Sequence, residues 1–168
     1  MKEGDKAIIN GVECMYVNAP ETKPSNPKDL IGSNKIPFHL WPDTASALGA
    51  LALMDGNLKY GRTNWRAAGV KTSVYYDALR RHMSAYFDEG EDDDPDSGLP
   101  HLGHAIACLA ILIDAGAAGK LTDDRLIRGG YRKFINELTP HVTRLKEKHK
   151  DKSPRHYTIH DTDEFRNG

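Results

Sequence analysis

Three histidines and a dense run of carboxylates lie close together in one short stretch of the chain. His82 precedes an acidic segment at residues 88–94, and His101 and His104 follow it. Carboxylate oxygens and imidazole nitrogens are common ligands of divalent cations in proteins. The stretch therefore predicts a metal site that handles phosphate, with Mg²⁺ or Mn²⁺ as the expected ion and the histidines favouring Mn²⁺.

Two carboxylates of the acidic segment stand out from their neighbours. Gly90 permits a sharp turn before Glu91, and Pro95 stiffens the chain after Asp94. The other acidic residues of the segment are equally typical of a solvated loop. Glu91 is the predicted catalytic base or metal-bridging carboxylate. The predicted metal ligands are His82, Glu91, Asp94, His101 and His104.

Helical periodicity brings the histidines toward each other. A second helix is predicted to start near Ser73 and to carry His82 near its end, with an inner side formed by Val74, Ala78, Met83 and Tyr86. A third begins with Pro100 in its first turn and Ser97 as a candidate cap, and its apolar stripe is Leu102, Ile106, Leu109 and Ile113. If the two helices are antiparallel, His82 comes close to the start of the third helix.

Positive charges near the predicted metal site suit a polyphosphate. Arginine binds phosphate through two parallel hydrogen bonds, and an asparagine amide can read a base edge because it both donates and accepts. Loop aromatics can stack on a base, although they more often fill a core. The alternative for the cations is a structural pairing with nearby carboxylates. The predicted substrate-binding residues are Lys59, Tyr60, Asn64, Trp65, Arg66 and Arg81.

The remaining pattern predicts a mainly α fold, a bundle of four or five helices with a small N-terminal β-hairpin and a polar C-terminal tail. The hairpin turns at Asn10-Gly11, and an extended arm covers residues 19–34. A buried first helix starts after Pro42, and a fourth runs from Thr122 to Leu138. The predicted domains are residues 1–23 (hairpin and arm), 24–146 (all-α domain) and 147–168 (polar, frayed or disordered tail).

Composition narrows the class of protein. Hydrophobic residues make up 39% and charged residues 28% of the 168, which suits one soluble domain with a core. The net charge is −1, so the chain lacks the basic field that polynucleotide binding needs, and a small charged ligand is expected. Cys14 and Cys108 lie far apart, and neither a signal peptide nor a bilayer-spanning run is visible. We therefore expect a cytoplasmic protein without a membrane or nucleic-acid partner.

Several motifs together carry a family likeness, over roughly residues 24 to 116. They are Asn26-Pro27-Lys28-Asp29, Lys59-Tyr60-Gly61, Asn64-Trp65-Arg66, Arg81-His82, Gly90-Glu91, the long motif from Asp94-Pro95-Asp96-Ser97-Gly98 through Leu99-Pro100-His101-Leu102, and His104. With these motifs the chain resembles the phage-encoded dATP/dGTP diphosphohydrolase family. The motif that ends in the two histidines is the most specific.

The resemblance implies kinship with the MazG-like all-α nucleotide pyrophosphohydrolases, which are Mg²⁺-dependent and commonly dimeric or tetrameric. Such enzymes cut a nucleoside triphosphate between the α and β phosphates. The ExxE and ExxD motifs of MazG proteins are not visible here, because those helix positions read Arg81-His82 and His101-Leu102-Gly103-His104. MazG ligands are therefore not transferred to this chain.

We expect a homo-oligomeric hydrolase that converts purine deoxynucleoside triphosphates to the monophosphate and pyrophosphate. It would use Mg²⁺ or Mn²⁺ and serve phage nucleotide-pool control in the host cytoplasm. Two alternatives are open. One is a metal-dependent phosphohydrolase that acts on a monophosphate or releases triphosphate. The other is an interaction protein whose histidines are buried and bind no metal.

Overall fold

The computed structural model describes residues 6–9, 12–15, 26–32 and 34–161. Within them the chain is mainly helical, with a few short strands. It divides into two units, Met1–Pro42 and Asp43–Gly168, which are described separately. None of the described helices combines the length and the hydrophobicity that crossing a bilayer requires.

The first unit begins with two short strands. β1 (Lys6–Ile9) pairs with β2 (Val12–Met15) in antiparallel orientation. The predicted tight turn at Asn10-Gly11 lies outside the described residues, so the complete hairpin stays a prediction. A 3₁₀ turn at Phe38–Leu40 lies near the end of this unit.

The extended arm predicted over residues 19–34 is wrong in its second half, because α1 (Pro27–Gly32) is helical. The Asn26 side chain accepts a hydrogen bond from the Lys28 N–H at 3.0 Å. Pro27 suits the first helical position, since its missing N–H would have no partner there in any case. The residues that suggested an arm therefore act as a helix start.

The second unit consists of helices joined by very short strands. In chain order they are α2 (Asp43–Tyr60), α3 (Asn64–Ala68), β3 (Val70–Lys71), α4 (Thr72–Ser84), β4 (Asp93–Asp94), β5 (Leu99–Pro100), α5 (His101–Ala117), β6 (Leu121–Thr122) and α6 (Tyr131–Lys148). β3 and β6 are parallel, and β4 and β5 are antiparallel. A π-helical segment, Ala85–Glu89, extends α4, and a 3₁₀ turn, Ile159–Asp161, follows α6.

Helix α5 packs against both α2 and α4 through small residues. A Cβ on Gly103 would stand 3.0 Å from the Leu48 carbonyl oxygen, and a Cβ on Gly49 would stand 2.6 Å from Ile106 Cγ2. The two helices therefore approach closely where these glycines lie. The buried residues of α5 are His101, Gly103, Ala105, Ala107, Cys108 and Ala115.

The inward faces differ from the predicted ones. Leu109 and Ile113 of the predicted stripe are 46% and 73% exposed, because the glycine and alanine side of α5 permits the closer approach. On α4 the predicted inner residue Val74 is exposed, whereas Tyr75 is half-buried. The first long helix is buried on one side only, and its buried residues are Gly49 and Ala52.

The predicted helix from Thr122 to Leu138 is also wrong in its position. Residues 123–130 have no regular structure, and α6 instead continues through Pro140. Thr122 pairs with β3, and the Asp124 carboxylate accepts hydrogen bonds from the Ser73 N–H and hydroxyl at 2.9 and 2.6 Å. These contacts hold the chain extended where a helix was expected. Every residue of α6 is exposed.

Asp114 ties the short helix α3 to α5. Its carboxylate accepts hydrogen bonds from Arg66 Nε and Nη2 at 2.7 and 2.6 Å, and from Trp65 Nε1 at 2.5 Å. The bonds from Arg66, and then the bond from Trp65, lower the pKa of Asp114 to about 2. The chain enters α3 through Thr63, whose φ of 54° is left-handed. These three hydrogen bonds, here called the Asp114 clamp, hold α3 in place. They stabilise a short helix that begins after a residue with a strained backbone.

Replacing Gly103 with alanine should lower the free energy of unfolding by about 1–3 kcal/mol, because the new methyl group would press on a backbone carbonyl that cannot rotate away. Gly116→Ala on the same helix is the matched control, since Leu121 lies 3.8 Å from its Cβ position. The control should be neutral or stabilising by up to ~1 kcal/mol. Urea unfolding followed by circular dichroism measures both. Equal stability of the two variants would contradict the close approach of α2 and α5.

The Asp114 clamp should weaken in acid. Because the folded state lowers this pKa to about 2 from 3.8, its stabilisation is present above pH ~4 and is lost as the pH falls toward 2. Asp114→Asn should therefore melt below wild type at pH 7, and the difference should shrink between pH 4 and 2. Asp123→Asn is the control, since Asp123 pairs with Arg125 within one exposed loop and should change the melting temperature little. A difference that stays constant with pH would argue against the clamp.

Candidate metal centre

The end of α4 determines where Glu91 lies. After the π-helical segment, Gly90 adopts a left-handed φ of 71°, and the Glu91 N–H donates to the Ala85 carbonyl at 3.1 Å. A Cβ at Gly90 would have no room, because the Ile159 side chain occupies that space. The turn predicted from Gly90 is therefore present, and it directs the chain into the acidic loop.

The β4–β5 hairpin places Asp94 beside the start of α5. Asp94 pairs with Leu99, and Gly98, with a φ of 66°, donates its N–H to the Asp94 carbonyl at 2.7 Å. The His101 N–H donates to the Asp92 carbonyl at 2.9 Å. Backbone hydrogen bonds thus connect the acidic loop directly to the first residue of α5.

Ser97 is the hydrogen-bonding centre of this hairpin. Its hydroxyl lies 2.8 Å from Asp94 Oδ2 and 2.8 Å from His104 Nε2. Burial raises the pKa of Asp94, but the hydrogen bonds from the Ser97 hydroxyl and N–H outweigh it and hold the pKa below the ordinary value. Asp94 is therefore ionised at neutral pH. The sequence suggested Ser97 only as a helix cap, yet α5 has no side-chain cap.

The three histidine rings meet as predicted from the antiparallel helices. His82 Nδ1 lies 2.9 Å from His101 Nδ1. The His82 ring stacks on His104, with ring centroids 4.7 Å apart and planes 10° from parallel. Burial, followed by the neighbouring rings of His104 and His101, lowers the pKa of His82. A neutral imidazole keeps the lone pair that a metal ligand needs.

His82, Asp94 and His101 form the cluster best placed to share one cation. One ligand atom from each lies within 4.8 Å of the other two. Two imidazoles and one carboxylate are a donor set that divalent transition metals accept. His101 is 4% exposed, and its Nδ1 lies 2.9 Å from His82 Nδ1, close enough for both nitrogens to bind the same ion. The arrangement therefore fits a divalent cation.

The other two predicted ligands stand beside this cluster. Glu91 Oε2 lies 3.5 Å from His101 Nε2, and Glu91 is 51% exposed. His104 Nε2 lies 3.7 Å from Asp94 Oδ2 and within hydrogen-bonding distance of Ser97. Both residues can influence the cluster, and their ligation of a metal stays a prediction.

A cavity of about 710 Å³ opens from the cluster between α2, α4 and α5. This volume lies in the range of small-molecule sites. Its walls include the predicted ligands and five of the six predicted substrate-binding residues, namely Lys59, Tyr60, Asn64, Trp65 and Arg81. Arg66, the sixth, is not among the lining residues and pairs with Asp114. A substrate phosphate would therefore have to compete with Asp114 for the Arg66 guanidinium.

Four residues of this region were not predicted. Tyr75 lines the cavity and lies seven positions before His82, so helical spacing could have identified it. Asp55 accepts a hydrogen bond from Lys59 at 2.7 Å, and the i, i+4 spacing signals that pair. Ser97 lies three positions after Asp94, and this local spacing signals their contact. Asp114 acts through contacts with Trp65 and Arg66 that no local pattern signals.

The sequence model of one family matches this chain. It is described as dATP/dGTP diphosphohydrolase, N-terminal, and it matches residues 25–125. Searches of curated proteins and of solved structures found no match. The matched residues include the histidine cluster, the acidic loop and the Lys59 to Arg66 segment, and they confirm the likeness seen in the motifs. Since the match covers more than half of the chain, the chain belongs to the dATP/dGTP diphosphohydrolase N-terminal family.

Proposed function

We propose that this protein is a metal-dependent hydrolase that converts dATP or dGTP to the monophosphate and pyrophosphate. The observation that carries the proposal is the cluster of His82, Asp94 and His101 at one end of a cavity that also contains cationic and aromatic side chains. Family membership supports the hydrolase class and the purine deoxynucleotide substrate. The proposal also includes which bond is cleaved, which metal is bound, and that the reaction requires a metal.

His82, Asp94 and His101 would hold the cation, and the ionised Asp94 would supply the charge. When bound, Mg²⁺ or Mn²⁺ would neutralise phosphate oxygens and lower the pKa of a coordinated water. Ser97 keeps Asp94 oriented through its hydroxyl. The stacked rings of His82 and His104 limit the freedom of both side chains, which favours a preformed site.

Arg81 and Lys59 would bind the phosphates. Both side chains line the cavity and both are exposed. Their charged groups are therefore hydrated in the free protein and accessible to a substrate. Arg81 lines the same cavity as His82, so its planar guanidinium is available to a phosphate bound there. Lys59 pairs with Asp55 in the free protein, and a phosphate would compete for its ammonium group. These two side chains would stabilise the charge that develops on the leaving pyrophosphate.

The purine would occupy the aromatic part of the cavity. Tyr60, Trp65 and Tyr75 contribute aromatic surface, and Ile111 adds an aliphatic one. Trp65 uses its Nε1–H on Asp114, so its ring face is left for stacking on a base. The Asn64 amide, which also lines the cavity, can donate and accept hydrogen bonds with a base edge.

The predicted homo-oligomer also belongs to this proposal. Helix α6 supports it, because an apolar stripe lies exposed along the helix. The exposed residues of the stripe are Tyr131, Phe134, Ile135, Leu138, Val142 and Leu145. Their spacing of three or four residues puts them on one side of the helix, as in helices that associate. A role in phage nucleotide-pool control in the host cytoplasm remains part of the same proposal.

Hydrolysis of dGTP or dATP in ¹⁸O-enriched water with Mn²⁺ tests the reaction. The heavy oxygen should appear in the monophosphate, with unlabelled pyrophosphate as the second product, because water would attack the α phosphorus. Mass spectrometry of the products measures this. The variant His82→Ala should show no turnover and no saturable Mn²⁺ binding by calorimetry.

Other outcomes identify the alternatives. Tripolyphosphate or orthophosphate would indicate a phosphohydrolase of another specificity, and label in pyrophosphate would show that water attacks the β phosphorus instead of the α phosphorus. A wild-type protein that binds no Mn²⁺ and hydrolyses no nucleotide would support an interaction protein with structurally buried histidines.

Arg81→Lys keeps the charge but removes the planar pair of donors. Turnover should fall by about tenfold or more, the loss expected for one charge-assisted hydrogen bond of ~1.5 kcal/mol. Arg80→Lys is the matched control, since the adjacent Arg80 lies outside the cavity lining and contacts Tyr76. Steady-state kinetics compare the two. Equal activity of both variants would remove Arg81 from the substrate site.

A further inference from the structure

The most buried ring of the metal centre has one unused nitrogen. His101 is 4% exposed, and its Nδ1 faces His82 Nδ1 at 2.9 Å. Its Nε2 has no hydrogen-bond partner among the described residues. A buried polar atom without a hydrogen-bond partner lowers the stability of the folded protein. Such an atom indicates that another group contacts it in some state of the protein.

The group closest to completing that contact is the Glu91 carboxylate. Glu91 Oε2 lies 3.5 Å from His101 Nε2, just beyond a hydrogen bond. Its backbone is held by the left-handed Gly90 and by the hydrogen bond to the Ala85 carbonyl, whereas its side chain is half exposed. A small rotation of that side chain would close the gap.

The two ring nitrogens of His101 point to different surroundings. Nδ1 faces His82 Nδ1, and Nε2 faces Glu91. The lone pairs of Nδ1 and Nε2 diverge across the ring. A hydrogen bond at Nε2 therefore leaves the Nδ1 lone pair available on the side of His82.

We propose that Glu91 is a positioning residue: its carboxylate accepts the Nε2–H of His101 and so keeps the Nδ1 lone pair directed at the site shared with His82 and Asp94. Carboxylates commonly orient ligand histidines in this way and fix which nitrogen carries the proton. The role differs from the metal-bridging or base role that the sequence predicts for Glu91. It rests on the metal site of the proposed function, but it is independent of the bond that is cleaved.

The first test observes the histidine tautomer directly. Nitrogen-15 NMR of histidine-labelled protein should show His101 protonated at Nε2 without metal, and ligated through Nδ1 when Zn²⁺, a diamagnetic probe, is added. In Glu91→Ala, which removes the acceptor altogether, the metal-free ring should no longer hold a single tautomer. Ligation of Zn²⁺ through Nε2 would overturn the proposal, because that nitrogen faces Glu91.

The second test measures Mn²⁺ affinity by calorimetry. Glu91→Gln should weaken binding by about 10-fold to 100-fold, the usual cost of losing an outer carboxylate. Glu89→Gln is the matched control, since it removes the same charge at an exposed position two residues away, at the end of the π-helical segment. Its affinity should stay close to wild type. Equal affinities in the two variants would overturn the proposal.

The readouts also separate this inference from the reaction. If Glu91→Ala lowers kcat while the tautomer and the Mn²⁺ affinity stay unchanged, Glu91 is the base and the positioning role is wrong. If the wild-type protein hydrolyses no nucleotide but shows the Nδ1-bound His101 and the affinity loss, the positioning role holds and the proposed function fails.

Discussion

The close packing of α5 against α2 and α4 controls the positions of the candidate histidine ligands. Small residues on the inward side of α5 let the helices approach, and His101 is the buried polar residue at the end of that side. The same approach brings the end of α4, with His82, onto the first turn of α5. A larger residue at Gly103 would move α2 away from α5 and alter the cavity between these helices.

Burial removes water from the polar side chains of the site, and the acidic loop replaces part of the lost hydrogen bonding. Imidazoles and a carboxylate removed from water need partners, and the loop of about a dozen residues between the two helices supplies those of Asp94 and His104. The Ser97 hydroxyl satisfies Asp94 and His104, and the Asp92 carbonyl binds the His101 backbone. The loop therefore keeps Asp94 ionised and oriented, while the packed helices bring the three rings together and, through burial, lower the pKa of His82. This division explains how a helical scaffold without the MazG glutamate motifs can still present a metal-type cluster.

Local patterns were sufficient to predict the convergence of His82 on His101, the turn at Gly90 and the family itself. They failed where the outcome depends on residues distant in sequence. The inward side of α5 was misjudged because glycine and alanine contribute little hydrophobicity but permit close packing. The chain around Thr122 is not helical because it pairs with β3 and because Asp124 contacts Ser73. These contacts span some fifty positions, so a local pattern cannot reveal them. The Asp114 clamp was missed for the same reason.

The contact between Ile159 and Gly90 connects the C-terminal part of the chain to the candidate metal site. The family match ends at residue 125, yet the side chain that fills the space beside Gly90 comes from a 3₁₀ turn more than thirty residues later. A shortened protein that ends with the matched region would lack Ile159 and would leave the turn before Glu91 uncovered. Boundaries chosen from the family match alone would therefore yield a fragment whose acidic loop has lost a neighbour. The natural unit for biochemical work is the chain that retains this turn.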